Sequence, residues 1–545
     1  LRSRYDGRES TQDRDYADTY VDDFLTDSGF PSIEDEFAAV SAILDAITPE
    51  ALDLRFRTRL ANTAPHVIIS TREVDADRTP SVDEVLTIVA AAPERDLQPR
   101  DSGRELPSSL MSTPAPVEPV SADDVVGFGD ALFDPLRLEF ANGVTVIVNT
   151  NGIVEGQVFM QGASRGGLSL VADADVVDAL YATEIVTSSG VGDFDAAELD
   201  RILAGADVSF DAWLQPYSEH VGGVAATADL EVLLQLIHLA MTEPRADEVA
   251  LRQVQSRYGP TVDDPSLDPG LVVSDTLLDA RYPDELRYAV LPTPEQFATL
   301  DLEGVRRVWA ERFQNVDDWV FVLSGDLDID VATALAGAYL GTLPTGVSEE
   351  PIDIEDPPPP GVVRRAASAG TGDTASVTLL YTAPVDSVTP ALRAAADVVT
   401  ELVSARLIDV VRERLGDSYS PSAFVYLTFD PEPAIETYVS VTGAPDRIDA
   451  LGDLVAGELA TLAGEGAEAQ EYVNAFAQVE ERYRFVDNWE FVTELLTAEI
   501  EPAQDLDSYL LRAAALANLG NDDIDAFVRA LVPADQHIQV TVTPR

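Results

Sequence analysis

The sequence predicts an α+β fold built from repeated modules, each a β-sheet packed with helices, and three observations predict it. A capped helix, a short polar break and a β-branched strand recur three times along the 545 residues. Between the copies, alternating strand patterns are interleaved with helices that carry one apolar face. Two Pro-rich stretches divide the chain where such patterns lapse.

The first copy runs from Ile47 through a helix ending near Ala61, then across Asn62–His66 into a strand Val67–Ser70. Thr48 is placed to cap that helix, with Pro49 at its first turn, where a missing N–H costs nothing. The second copy starts at Leu300, with Asp301 as cap and Val305, Val308, Trp309 and Phe313 along one face, and ends in the strand Trp319–Leu323. The third starts at Leu519, with Asn521 as cap and Ile524, Phe527, Val528 and Leu531 inward, and closes with the strand His537–Val542. The offsets from Ile47 to Leu300 and from Leu300 to Leu519 are 253 and 219 residues. A module is therefore roughly 220 residues, an ordinary domain size. The longer offset holds an insert between about Ala92 and Asp130, where Pro93, Pro99, Pro107, Pro114, Pro116 and Pro119 mark an extended linker. A shorter break, Asp356 to Gly361, separates the later modules.

Within the first complete module, strands Leu136–Phe140 and Val144–Asn149 flank the turn Asn142-Gly143. Val176, Val177, Leu180, Tyr181 and Ile185 share one helix face, and Asp195 caps a following helix through Leu199, Ile202 and Leu203. The last module repeats the plan: strand Ser376–Tyr381, a long helix from about Pro390 to Leu415, and a hairpin of Ala423–Phe429 with Ala434–Val441.

Composition narrows the function. With 97 Asp and Glu against 35 basic residues, all of them Arg, the formal charge is −62. Such a field repels phosphate backbones, so nucleic acid is not an expected partner. No Cys occurs, which removes thiolate chemistry. The apolar runs, such as Val320–Leu323 and Val377–Tyr381, fall far short of the roughly 18 residues of a membrane span. The chain opens Leu1-Arg2-Ser3-Arg4, which reads as a fragment or a processed product. The Asp pairs at 263–264 and 522–523 and the run Asp326–Asp330 follow no calcium-loop spacing. Ser218-Glu219-His220 lacks an elbow-type Gly motif and is not expected to bring a nucleophile and base together. His238 lies in the apolar stretch Leu233–Met241, where packing is the simpler role.

Several segments carry a resemblance. Leu138-Glu139-Phe140-Ala141-Asn142-Gly143-Val144-Thr145-Val146-Ile147 is similar to the opening strands of a pitrilysin-type (M16, inverzincin) peptidase domain. Gly166–Leu170, Ser188–Phe194 and Ala204-Gly205 resemble the third domain of bacterial pitrilysin-like zinc proteases, and Arg412–Ser420 resembles a signature of the fourth. The resemblance makes residues 1–91 the C-terminal part of a second domain and 92–130 a Pro-rich linker. Residues 131–350 become a third domain without a zinc motif, 351–360 a second Pro-rich linker, and 361–545 a fourth domain with an Arg/Tyr pair.

The resemblance implies four homologous domains forming two halves around a chamber, with zinc held in the first by His-x-x-Glu-His. This chain has no such motif; its histidines are His66, His220, His238 and His537, and the corresponding helix carries Leu180, Tyr181 and Glu184. Zn²⁺ is therefore expected in an N-terminal catalytic half, from the same precursor or a separate chain, with a peptide as substrate. The resemblance further implies that Arg412 and Tyr419, seven residues apart, reach the substrate near the metal and stabilise the oxyanion. Read from the residues alone, Arg412 is a solvated residue in the last turn of a helix and Tyr419 a packed aromatic after Gly416. The expectation is the substrate-binding half of a zinc metalloendopeptidase, with a non-proteolytic assembly homologue as the alternative. Family habit and the acidic surface lean to the periplasm, cell envelope or exterior.

Overall fold

A computed structural model describes all residues except 1–4, 6–7, 9–12, 28, 62–65, 70–78, 93–103, 126–134, 410–420, 485–487, 502 and 534. The chain separates into two compact units, Leu1–Pro107 and Ser108–Arg545, so the division falls inside the segment read as a linker.

The first unit contains helices α1 (Asp13–Thr26), α2 (Ile33–Ala46), α3 (Pro49–Ala61) and α4 (Val82–Ala91). Their starts obey local chemistry: Ser32 accepts from Asp35 N, Thr48 Oγ1 from Ala51 N at 3.2 Å, and Ser81 forms a reciprocal capping box with Glu84. The expected strand at Val67–Ser70 is absent among its described residues. Val67, Ile68 and Ile69 are exposed coil, and no described strand of this unit lies ready to pair with them. A β-branched run becomes a strand only when another strand takes its backbone hydrogen bonds. None of the unit's described hydrophobic residues is buried.

The second unit holds two sheets of the same design. The first has β1 (Ser121–Asp124), β2 (Leu136–Glu139), β3 (Thr145–Thr150), β4 (Gln157–Arg165), β5 (Asp211–Leu214), β6 (Ser218–Ala226) and β7 (Val320–Gly325), in the order β1-β2-β3-β7-β4-β6-β5. The second has β8 (Val362–Ser368), β9 (Ala375–Pro384), β10 (Ser422–Thr428), β11 (Ala434–Gly443) and β12 (His537–Thr543), in the order β10-β11-β9-β12-β8. Read backwards, this order repeats β3-β7-β4-β6-β5. In each sheet one pair is parallel, β3 with β7 and β8 with β12, and the other pairs are antiparallel. Strand β1 comes from the Pro-rich segment and caps the first sheet by pairing with β2.

The longer helices between the strands are α5 (Val176–Thr187), α6 (Ala196–Leu203), α7 (Leu230–Thr242), α8 (Glu248–Asp263), α9 (Pro269–Arg281), α10 (Leu302–Phe313), α11 (Ile329–Tyr339), α12 (Pro390–Leu407), α13 (Ile448–Glu465), α14 (Ala469–Arg482), α15 (Asn488–Ile500) and α16 (Asn521–Leu531). Asp301 caps α10 by accepting from Glu303 N and Gly304 N. For α16 the expected cap shifts by one residue: Asn521 is the first helical residue, and Asp523 accepts from Gly520 N at 2.9 Å. Gly143, at φ +95° in the β2–β3 turn, has no room for a side chain, since a Cβ would lie 2.1 Å from Asp317 O. Helix α10 meets α5 closely at Gly304, where a Cβ would collide with the Asp178 carboxylate.

One face of each sheet is covered by helices of its own module: α7 and α11 pack on the first sheet, while α12, α13 and α16 pack on the second. The opposite faces are covered by exchange. Helix α15 places Phe491, Val492, Leu495, Leu496 and Ile500 on Ile147, Ala163, Val320 and Val322 of the first sheet. Helix α9 places Leu277 and Ala280 on Leu380, Ile538, Val540 and Val542 of the second. The first residues of these helices are 219 positions apart, the same as the repeat offset. Each module thus lends the equivalent helix to the other. With each buried aliphatic or aromatic side chain contributing about 1.5–3 kcal/mol, the exchange binds the two modules firmly.

Candidate functional site

The exchanged helix α9 covers only part of the second sheet. Beyond its end the outward face of β9, β11 and β10 stays open as a groove of about 610 Å³, lined by Thr378, Phe424, Tyr426, Glu436, Tyr438 and Ser440, with Ser422, Leu427 and Thr428 completing the rim. Strand alternation places these side chains together: even-numbered positions of β10 and β11 face outward, while Ala423, Ile435, Val439 and Val441 point into the core. Tyr426 is in register with Glu436, and Phe424 with Tyr438. Phe424 and Tyr426 stack at 6.2 Å, and Tyr426 meets Tyr438 edge-on at 5.5 Å. Among the described residues, β10 has β11 on one side only, so within them it is an edge strand with one row of backbone donors and acceptors not taken up by another strand.

The floor of the groove is charged and shared between modules. Glu436 accepts from Tyr438 Oη at 2.9 Å and lies 3.9 Å from Arg281 at the end of α9. Arg281, 4% exposed, also pairs with Glu355 at 3.0 Å and donates to Asp356 O at 2.9 Å. Tyr288 donates to Glu355 at 2.8 Å and stacks on Tyr282 at 3.7 Å. One guanidinium therefore faces two carboxylates. Burial pushes the Glu436 carboxyl above its ordinary range, against the pull of Tyr438 and Arg281, and burial likewise raises Tyr282, Tyr288 and Tyr438.

The equivalent corner of the first sheet carries a second buried acidic group. Arg165, at the end of β4, pairs with Asp430 at 3.2 Å and with Glu350 at 3.0 Å. Glu501, just beyond α15, is pushed up to about 9 by burial first and then by the neighbouring Asp430.

Arg412 and Tyr419 lie outside the described residues, as does the end of the long helix expected to run to Leu415; α12 is described to Leu407. Both residues fall in the segment between α12 and β10, the open edge strand of this groove. Ser218 and His220, expected to stay apart, are hydrogen-bonded at 2.8 Å, because residues two apart on β6 share one face. His220 is stacked on Trp213 at 5.0 Å, and burial lowers it to about 4. Both side chains are buried, so the pair packs the strand. His238 is likewise buried, with Nδ1 2.7 Å from Tyr339 O.

The residues of α5 do not fit a zinc site. Tyr181 is buried against Phe297, Glu184 bonds Tyr258 at 2.7 Å and pairs with Arg257, and Asp178 accepts from Asp301 N at 2.9 Å. Burial lifts the Asp178 carboxyl to about 6, which suits a hydrogen-bonded acid in a helix contact. Among the described residues no group of three or more His, Asp or Glu could hold a metal ion, and no helix is long and apolar enough to cross a membrane.

The sheet order and the groove could be reached from α9 and β10 only in three dimensions; what the sequence offered was the alternation Phe424, Tyr426 with Glu436, Tyr438. Comparison with known proteins gives a consistent family. Residues 299–479 match the Peptidase M16 inactive domain. A zinc protease PQQL-like protein of Arabidopsis thaliana is 21% identical over 347 residues, 63% of this chain and 33% of the relative. The periplasmic protease PqqL of Escherichia coli superposes with a TM-score of 0.66 at 18% identity, covering 100% of this chain and 60% of that one. An M16 inactive domain from Pseudomonas fluorescens superposes at 0.64 with 17% identity, over 75% of this chain and 98% of its own. The chain thus spans about a third of its curated relative and 60% of PqqL.

Proposed function

We propose, on the premise that this chain belongs to the pitrilysin-type (M16) peptidase family and is its non-catalytic C-terminal half, that it holds an extended peptide for a zinc-bearing half to cleave. The observation that carries this reading is the open strand β10 beside the aromatic groove. An unpaired strand edge lends backbone hydrogen bonds to any extended peptide, while pockets on alternate residues supply selectivity.

The exposed apolar faces of α2, α3 and α4, with Ile43, Leu44, Leu54, Phe56, Leu86 and Ile88 uncovered, support a large partner. In the other two modules the equivalents of α3, which are α10 and α16, bury the corresponding face. The N-terminal catalytic half is the proposed partner, and it supplies the Zn²⁺ that activates water and polarises the scissile carbonyl. Arg412 and Tyr419 are proposed to donate to the developing oxyanion from the segment that leads into β10. A peptidase chamber at the periplasm, cell envelope or exterior agrees with PqqL of Escherichia coli being a periplasmic protease.

The test is kinetic. With a zinc-bearing half supplied, Arg412→Ala and Tyr419→Phe should each lower kcat on the order of a hundredfold, the scale of losing one oxyanion donor. Unchanged kcat in both variants removes them from the reaction.

A further inference from the structure

We propose that the groove selects basic peptides: an extended segment adds to β10 as a sixth strand of the second sheet and directs a Lys or Arg side chain across Tyr426 to Glu436. The proposal rests on the peptide-holding reading above and adds the substrate class to it.

Three observations carry it. Strand β10 is paired on one side only among the described residues. Tyr426 is 52% exposed, a large share for an aromatic on a sheet, and its ring lies between the open edge and Glu436, with which it is in register. Among the described residues, Glu436 shares one cation, Arg281, with Glu355.

Geometry sets what can reach it. A strand added to β10 would run two strand spacings from β11, about 10 Å. A stretched Lys or Arg together with the Glu436 side chain bridges that gap, whereas a short polar residue does not. On the way the cation passes over the Tyr426 face, where the ring quadrupole attracts it. The added charge also relieves the two-to-one imbalance at Arg281. A carboxylate in the same place would meet Glu436 and Glu355 in a half-buried setting and be repelled. Alternate peptide residues on the same face meet Phe424 or the rim at Thr428 and Ser422, so an apolar residue two positions from the cation is favoured.

The whole chain would be titrated by fluorescence anisotropy against two labelled decapeptides, one repeating Lys-Ser-Val-Ser and one repeating Glu-Ser-Val-Ser, so that Val stands two positions from each charge on the same face of the strand. The basic peptide should bind, and Glu436→Gln should weaken it roughly tenfold, the scale of losing one charge-assisted hydrogen bond. Tyr426→Ser, at an exposed position that tolerates exchange, should weaken it by a similar factor. Glu480→Gln, on α14, makes the same change of charge far from the groove and should leave binding unchanged. That control matters because a chain of net charge −62 attracts cations everywhere, and general attraction would respond equally to either Gln variant. Equal binding of both peptides, lost in Tyr426→Ser, overturns the basic preference and leaves the peptide-holding reading intact. Basic-peptide binding that neither groove variant alters, or no binding at all, overturns the groove as the site.

Discussion

Glu436 of the second module lies 3.9 Å from Arg281 of the first, although 155 residues separate them in the sequence. The contact exists because α9 crosses to the second sheet and ends at the edge of its open face. Arg281 is buried and has Glu355 as its second acidic partner. Removing it by Arg281→Met leaves two carboxylates facing one another. The expected loss is about 3–5 kcal/mol, larger at pH 8 than at pH 5 because Glu436, whose carboxyl burial holds above its ordinary range, is more fully ionised at the higher pH. Chemical denaturation at the two pH values measures it, and an equal loss at both would contradict the pairing.

The lent helix α15 yields a prediction that its place in the sequence does not suggest. Leu495→Ala removes a fully covered side chain and should cost about 2–5 kcal/mol. Because Leu495 belongs to the buried cluster that joins α15 to Ile147, Ala163, Val320 and Val322, hydrogen exchange should accelerate in β4 and β7 of the first sheet. Acceleration confined to residues 361–545 would refute the exchange of helices.

Asn488 pins the start of that helix. Its amide donates to Ser324 O at 3.1 Å and its Oδ1 accepts from Asn151 at 3.0 Å and Ser324 Oγ at 2.9 Å. These groups are buried, so Asn488→Leu strands several of them and should destabilise by about 1–3 kcal/mol. Thermal unfolding would show it as a lowered midpoint, and an unchanged midpoint would contradict the network.

Glu501 gives the pH dependence. Its folded value near 9 is far above an ordinary Glu, so the folded state holds a proton that the unfolded state releases. The protein is therefore most favoured by this group below the ordinary Glu range, and stability declines as pH rises from about 4.5 towards 9. Glu501→Gln cannot ionise; it should flatten that decline and be more stable than the parent at pH 8. A variant whose pH profile parallels the parent's would contradict the buried protonated acid.

Local features were legible in the sequence because they depend on neighbours. Thr48 and Asp301 cap as expected, and the hairpin of β10 and β11 forms where the segments Ala423–Phe429 and Ala434–Val441 predicted it. The single-residue shift at Asn521 has the same local origin, since Asp523 completes the turn from inside the helix. What depends on a partner was not legible. Val67–Ile69 has strand chemistry without a strand beside it among the described residues, and Ser218 and His220 meet because their side chains, two residues apart on β6, share a face. Least visible of all was the exchange of α9 and α15: an apolar helix face announces that it will be covered, and its periodicity is silent about by which sheet. The groove arises from that exchange, so Glu436 and Tyr426 were not singled out, while Arg412 and Tyr419 rest on family resemblance and lie outside the described residues.

Whether this chain completes a zinc peptidase is decided by cleavage of a fluorogenic peptide by the chain, by a zinc-bearing catalytic half, and by the two combined, each with and without a chelator. Hydrolysis well above that of either part is expected in the combined sample only, abolished by the chelator. Chelator-resistant cleavage by this chain alone, or a stable complex of the two parts that leaves the peptide intact, would contradict it, the latter in favour of an assembly role.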